Sequence, residues 1–162
     1  DHVAIMKKEW GLLEKILDGK KRIESRWYMN KVAPWDQIKP NDAVYFKNSG
    51  EPITAKATVE KVIQISDLDK PNYQKPLFTE NEGVVSLGGI DIETILDLFA
   101  GDDGIEIEQV PFFAKQFKDK RYCILIFLKD AKEIEPFNIN KSGFGAMSAW
   151  ISVDDINKIR KE

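Results

Sequence analysis

The sequence predicts one α+β domain built on a small curled sheet or barrel. Residues 53–65 alternate apolar and polar side chains almost strictly, which is typical of an antiparallel strand with one face in water. Residues 121–130 contain an unbroken apolar run, which indicates a central strand buried on both faces. Helical patterns occur between the strands at irregular intervals, so a strictly alternating βαβ fold is not expected.

The first part of the chain predicts a strand, a helix and two further strands. Residues 2–6 form a short apolar strand, and residues 8–18 repeat apolar side chains at helical spacing. The stripe of this helix consists of Trp10, Leu12, Leu13, Ile16 and Leu17. Gly19 is expected to end the helix, because glycine adopts the left-handed conformation found at helix ends. The charged stretch up to Trp27 and residues 43–47 are the next predicted strands.

The second part of the chain predicts a loop, two helices and a turn. Residues 66–90 are polar and hold prolines and glycines, which predicts a long loop inserted in the single domain 1–162. Residues 91–101 have the pattern of a helix, and residues 137–151 combine a glycine-bearing turn with aromatic side chains. Residues 152–162 predict a final helix capped by Ser152, with acidic residues early and basic residues late.

The composition excludes several classes of protein. The chain has 162 residues, of which 43% are hydrophobic and 31% charged, and this is typical of one globular domain. A net charge of −3 gives no general attraction to nucleic acid or to an anionic membrane, so nucleic-acid binding would need a local basic patch. No apolar run approaches the about 18 residues of a membrane span. A single cysteine suits a reducing compartment, and the sequence predicts a cytoplasmic protein.

Metal-dependent and histidine-dependent chemistry is not expected. The only histidine is His2 and the only cysteine is Cys123, whereas a zinc site needs three or four nitrogen or sulfur ligands. A Ser-His-Asp arrangement would have to use His2 at a mobile terminus. Cys123 lies in the apolar run and is expected to be buried. The sequence therefore predicts no metal and no cofactor, and any catalysis would use lysine, arginine, carboxylate or hydroxyl groups.

The charged strand has two alternative interpretations. Successive side chains on a strand point to opposite faces, so Arg22, Glu24 and Arg26 are expected on one face. Lys21 joins that face only if the chain bends after Gly19. Glu24 between two arginines would stay ionised and act as a fixed hydrogen-bond acceptor, and Arg26 would suit a phosphate or a base edge. The alternative is a solvated edge strand whose charges prevent aggregation.

Aromatic residues accompany the basic ones in two places. Trp27 ends the charged strand, and rings interleaved with basic side chains suit stacking on unpaired bases. Phe144 and Trp150, beside Lys141, are a second candidate pocket wall. The alternative for each ring is packing in the core.

Residues 19–26 fit the pattern G-x-K-x-x-E-x-R after a strand and a helix, and this arrangement resembles the signature of the ASCH domain. The similarity continues through "IKPNDAVYF" and "ITAKATVEKV", so that it covers residues 2–65. It implies a PUA-like fold, a small β-barrel of mostly antiparallel strands with about three flanking helices. It also implies that Lys21, Glu24 and Arg26 line a cleft that contacts RNA or a nucleoside.

Three functions remain open. The first is a module that binds RNA or a modified nucleobase. Its expected contact residues are Gly19, Lys21, Glu24, Arg26, Trp27, Lys141, Phe144 and Trp150. The second is a small nucleoside amidohydrolase or ribonuclease, because some ASCH relatives act on N4-acetylcytidine. Lys21 and Glu24 would be its catalytic residues, with Glu93 or Asp97 as a further carboxylate. Glu24 stands where that branch carries threonine, which argues against this activity. The third is a protein-interaction module, which the acidic isoelectric point favours.

Overall fold

A computed structural model describes residues 1–69, 79–145 and 147–161. In these residues nine strands and three α-helices follow one another along the chain. The strands are β1 (His2–Met6), β2 (Ile23–Tyr28), β3 (Ala43–Asn48), β4 (Ile53–Ser66), β5 (Thr79–Asn81), β6 (Val84–Gly88), β7 (Tyr122–Ile139), β8 (Trp150–Ser152) and β9 (Arg160–Lys161). The helices are α1 (Leu12–Leu17), α2 (Ile92–Phe99) and α3 (Val110–Gln116). No helix in the described ranges combines the length and apolar character that crossing a bilayer requires.

The strands form one mixed sheet that curls into a half-barrel. The strand order is β2-β7-β4-β3-β1-β8, with β6 beside β4, β5 beside β6, and β9 beside β7. Most neighbours are antiparallel; the β1–β3 and β4–β6 pairs are parallel. The predicted α+β fold, with mostly antiparallel strands and about three helices, is therefore confirmed.

The two longest strands, β4 and β7, organise the sheet. They pair antiparallel, and their ladder shifts register at three places. Such irregularities bend and twist a strand pair, which curls the sheet. The alternation that predicts β4 is observed, since Ile53, Ala55, Ala57 and Val59 are all buried. The buried strand predicted at 121–130 is the first half of β7.

Apolar side chains form three clusters around this sheet. The first fills the hollow of the half-barrel, where α1 packs Leu13 and Ile16. The second lies between the sheet and helices α2 and α3. In the third cluster, side chains of β8 and of the C-terminal segment, including Ile156, pack against the other end of the sheet. The first and second clusters lie on opposite sides of β2. Strand β2 contributes Ile23 and Trp27 to the second cluster.

The helix predicted for residues 8–18 is divided in two. Residues 8–10 form a single 3₁₀ turn, Gly11 adopts φ 62°, and α1 begins only at Leu12. The i, i+3, i+7 pattern cannot reveal this left-handed residue, which rotates Trp10 out of the predicted apolar stripe. Trp10 is consequently 46% exposed, and its predicted place in the core is wrong.

Replacing Gly11 with alanine should destabilise the protein by about 1–2 kcal/mol, because a left-handed conformation is unfavourable for residues with a Cβ. The added Cβ would meet only Glu14 Oε2, at 3.8 Å, so the backbone alone causes the effect. Urea denaturation measures it. Gly101→Ala is the matched control, since Gly101 has no positive φ and open space around its Cβ position. Equal free energies of unfolding for the two variants would contradict the prediction.

Two other segments differ from their predicted structure. Within the predicted loop 66–90, residues 79–88 hold the β5–β6 hairpin, and β6 extends the sheet beside β4. Residues 70–78 of that loop lie outside the described residues. The predicted helix at 152–162 is wrong. Ile156 and Ile159 pack into the third apolar cluster, and β9 pairs with the end of β7, so tertiary contacts override an eleven-residue helical pattern. Helix α3 was not predicted from the sequence.

Candidate ligand-binding cleft

A cleft of about 720 Å³ opens beside β2. In the described residues β2 pairs with β7 on one side and ends the sheet on the other. The cleft lies along this free edge and is closed by the segment from Ile5 to Leu12, by the turn at Asp103–Ile105 and by α3. Both faces of β2 contribute to it, because the side chains from Glu24 to Tyr28 all line its wall.

Lys21 lies at the buried end of the cleft. Its ammonium group donates three hydrogen bonds: to Ile23 O at 2.7 Å, to Asp103 O at 2.6 Å and to Asp103 Oδ1 at 2.5 Å. An ammonium carries three N–H groups, so these acceptors use all of them. Only 3% of Lys21 is exposed. The arrangement therefore leaves no N–H of this ammonium group free for a ligand.

Asp103 connects Lys21 to β2. Its Oδ1 also accepts from Ser25 N at 3.2 Å, and its Oδ2 accepts from Ser25 Oγ at 2.5 Å. The hydroxyl oxygen of Ser25 in turn accepts from Trp27 Nε1 at 3.1 Å. Burial raises the pKa of Asp103; the Lys21 ammonium opposes this increase and the Glu24 carboxylate adds to it. The Asp103 carboxylate therefore binds the first residues of β2 through its ion pair with Lys21 and its hydrogen bonds from Ser25.

Glu24 is the buried carboxylate between two cations. Its Oε1 lies 3.2 Å from Arg26 Nε and its Oε2 lies 3.7 Å from Lys21 Nζ. Among the residues that the structure describes, none donates a hydrogen bond to Glu24 Oε2. Buried carboxylate oxygens normally accept hydrogen bonds, so this oxygen is an acceptor in need of a donor.

Arg26 spans the open side of the half-barrel. Its Nη1 donates to Ala149 O at 3.2 Å and its Nη2 to Ile5 O at 3.4 Å. Its guanidinium carbon lies 5.2 Å from the centroid of the Trp150 ring, within the range of a cation–π contact. Arg26 thus ties β2 to β1 and to the residue before β8, and it forms part of the cleft wall.

The structure brings Lys21, Glu24 and Arg26 together, but it places Arg22 elsewhere. Arg22 precedes the first residue of β2, and its side chain pairs with Asp102 in solvent. The parity argument that put Arg22 beside Glu24 is therefore wrong. Lys21 reaches the cleft because the chain turns after α1, where Gly19 has φ 84°.

The other predicted contact residues are divided between the cleft and its surroundings. Trp27 lines the cleft and stacks on Phe117, with 4.6 Å between ring centroids and 8° between the planes. Trp150 is buried beneath Arg26 rather than exposed as a pocket wall. Four predicted residues do not line the cleft: Gly19, Lys141, Phe144 and Trp150. Phe144 packs instead on the third apolar cluster.

Sequence reasoning missed the carboxylate that partners Lys21. Glu93 and Asp97, the predicted candidates, are exposed on α2, whereas Asp103 follows that helix in the sequence "GDDG". The close pair of acids in a glycine turn was the available signal. Lys21 and Asp103 are 82 positions apart in the sequence. No local sequence pattern shows that the turn holding Asp103 packs against β2.

A second polar cluster surrounds His2, which is buried in β1 rather than mobile. His2 Nε2 lies 2.9 Å from Asp42 Oδ2, and His2 Nδ1 lies 2.9 Å from Ser152 Oγ and 3.3 Å from Trp150 Nε1. An indole N–H only donates, so Nδ1 accepts and Nε2–H donates to Asp42. Burial lowers the pKa of His2, although Asp42 opposes the shift. The three residues of this Ser-His-Asp arrangement do not line the cleft, and the network fastens β1 to its neighbours.

The cleft is positive although the chain is acidic. Of the described residues that line it, five are basic and three acidic: Lys7, Lys15, Lys21, Arg26 and Lys120 against Glu9, Glu24 and Asp103. The whole chain has a net charge of −3. The cleft therefore has a local excess of basic side chains in a chain that is acidic overall.

Comparison with known proteins identifies the fold. No family model and no curated protein sequence matches the chain. The crystal structure of ASCH from Zymomonas mobilis is similar over 99% of this chain and 96% of its own, with 13% identity and a TM-score of 0.59. Two mutants of that protein match with 13% identity and TM-scores of 0.59 and 0.60 over 97% of this chain and 92% and 90% of theirs. The chain therefore has the ASCH fold, which confirms the predicted resemblance at the level of fold.

Proposed function

We propose that this protein, with its ASCH fold, is a module that binds RNA by accepting an unpaired nucleobase into the cleft beside β2. The observation that carries the proposal is Glu24 Oε2, a buried carboxylate oxygen without a donor among the described residues. An unsatisfied buried acceptor is costly, so a ligand that supplies an N–H gains the free energy of a hydrogen bond to a charged group. The exocyclic amine or ring N–H of a nucleobase is such a donor.

The walls of the cleft suit a planar, weakly polar ring with an attached phosphate. Its volume of about 720 Å³ lies within the usual range for small-ligand sites, about 300–1,000 Å³. Trp27, Tyr28 and Phe113 provide aromatic surface. The excess of basic side chains at the same place attracts the phosphate backbone.

The hydrolase alternative rests on the link that Asp103 makes between Lys21 and Ser25. A lysine nucleophile or base must direct its nitrogen at the substrate, however, and here three protein acceptors surround Lys21 Nζ. Incubation of the protein with N4-acetylcytidine or RNA, followed by chromatography, tests this alternative. Turnover by the wild-type protein would favour the hydrolase over the binding module.

Glu24→Gln should weaken RNA binding by about ten- to 100-fold, because a hydrogen bond to a charged group contributes about 1.5–3 kcal/mol. Fluorescence anisotropy with a labelled single-stranded RNA of mixed sequence, at low salt, measures the dissociation constant. Binding should also weaken as salt rises. Glutamine keeps the shape of the side chain, and circular dichroism checks the fold.

Glu93→Gln is the matched control, since it removes the same charge from an exposed position on α2. It should leave the affinity unchanged. Equal affinities of Glu24→Gln and wild type would contradict the role of Glu24. A wild-type protein that binds no RNA, DNA or nucleoside at low salt would refute the binding module.

A further inference from the structure

Two aromatic side chains stand exposed at the mouth of the cleft. Trp10 is 46% exposed and Phe112, on α3, is 57% exposed, and both line the cleft. Phe113 supports both rings. Its centroid lies 6.0 Å from that of Trp10 at 87° and 5.2 Å from that of Phe112 at 78°. We call Trp10 and Phe112 the aromatic rim.

The exposure of Trp10 follows from the backbone. Gly11, with φ 62°, ends the short 3₁₀ turn and directs Trp10 away from α1. Phe113, on the same helix as Phe112, and Phe117, the residue directly after that helix, continue inward to Trp27 at the cleft wall. A continuous aromatic surface thus runs from the interior of the cleft to solvent, and exposed apolar surface of this kind marks a binding site.

Basic side chains accompany the aromatic rim. Lys7 Nζ lies 4.7 Å from the centroid of the Trp10 ring, and Lys120 lines the same cleft. In the described part of the chain neither ammonium group has a carboxylate oxygen within 4.0 Å. Rings for stacking and uncompensated ammonium groups for phosphate are the two components of single-strand binding surfaces.

We propose that the aromatic rim binds the nucleotide next to the one in the cleft, so that the ligand is a single strand rather than a free nucleoside. The inference rests on the proposed function and adds a second subsite to it. A duplex keeps its bases stacked on one another, so neither the cleft nor the rim can receive them. Trp10 and Phe112 contact the second base, and Lys7 and Lys120 contact phosphate.

The test compares three probes: a single-stranded RNA hexamer, the same sequence in a duplex, and a nucleoside 5′-monophosphate. The hexamer should bind at least tenfold more tightly than the monophosphate, and the duplex should bind weakly. Trp10→Ala and Phe112→Ala should each weaken hexamer binding by about tenfold, the usual loss of one stacking partner. Both should weaken binding of the hexamer more than binding of the monophosphate. Leu98→Ala is the control, since Leu98 is 70% exposed on α2 and does not line the cleft.

Tryptophan fluorescence provides a second measurement. The hexamer should quench the emission of wild type more than that of Trp10→Phe, which retains an aromatic ring and most of the affinity. Unchanged hexamer binding in both alanine variants would overturn the rim subsite and leave the rings to another class of partner, such as a protein. Equal weakening of hexamer and monophosphate would also overturn it.

Failure of the rim and failure of the proposed function give different results. If only the rim inference is wrong, wild type still binds the monophosphate and Glu24→Gln still weakens that binding. If the proposed function is wrong, wild type binds neither the hexamer nor the monophosphate, and both inferences fail together.

Discussion

Lys21→Met should destabilise the fold by about 3–5 kcal/mol, because it leaves the Asp103 carboxylate buried without its cation. The side chains of Lys21 and Asp103 are 2% and 6% exposed, and their charged atoms lie 2.5 Å apart. The same change at the neighbouring residue, Arg22→Met, should cost at most about 1 kcal/mol. Arg22 pairs with Asp102, the neighbour of Asp103, but the two side chains are 68% and 44% exposed.

Urea denaturation at pH 7 measures the difference between these two variants, with the denaturant dependence checked for a constant slope. Two further results would identify the cause. Lys21→Met combined with Asp103→Leu should be more stable than Lys21→Met alone, since it removes the uncompensated charge. The deficit of Lys21→Met should also shrink as the pH falls, because protonation of Asp103 removes its charge. Equal stabilities of Lys21→Met and Arg22→Met would show that the buried pair does not exist.

This expected instability changes how a loss of function at Lys21 is interpreted. Lys21 is the lysine of the G-x-K-x-x-E-x-R motif. Replacing such a lysine with alanine is a common test of a catalytic role. Here its three hydrogen bonds hold the turn at Asp103 against β2. Inactivity of a Lys21 variant therefore reports on the fold as much as on chemistry. Glu24→Gln is the more informative variant, because it alters the proposed ligand-binding carboxylate and keeps the shape of the side chain.

Much of the fold could be predicted because the pattern of apolar residues in each main strand shows which of its faces are buried. β4 alternates because one face packs inward, and the first half of β7 is apolar throughout because both faces are covered. The failures come from single residues and weak patterns. One left-handed glycine, Gly11, divided a helix whose apolar spacing was correct. The C-terminal segment has helical charge order, yet Ile156 and Ile159 gain more by packing in the third cluster.

The candidate site was predictable only where its residues are close in sequence. The spacing of Lys21, Glu24 and Arg26 gave three members of the cleft. Asp103 and the aromatic rim belong to other segments of the chain. Their positions in the cleft depend on how the turn after α2 and helix α3 pack against the sheet. Strand parity also misjudged Arg22, because parity applies only within a strand and β2 begins at Ile23.

Acidification below about pH 6.5, the ordinary pKa of histidine, should destabilise the protein through His2. His2 is 2% exposed, and Trp150 Nε1 donates to its Nδ1, so a second ring proton would displace that hydrogen bond. Burial lowers the pKa of His2 in the folded state. Below pH 6.5 the unfolded chain therefore binds a proton that the folded chain does not. The free energy of unfolding falls by up to about 1.4 kcal/mol per pH unit until the folded-state pKa is reached.

His2→Gln isolates this contribution, because His2 is the only histidine of the sequence. Glutamine offers an amide N–H to Asp42 and an oxygen to Trp150 and does not titrate. Asp103, whose raised pKa gives the opposite pH dependence, titrates in both proteins and cancels in the difference. The lowered pKa of Asp42 confines its effect to more acidic solution, since His2 and Lys39 hydrogen bonds outweigh the effect of its burial. Denaturation from pH 7 to pH 5 should show wild type losing stability relative to His2→Gln. A constant difference across that range would show that His2 binds its proton equally well in the folded and unfolded states.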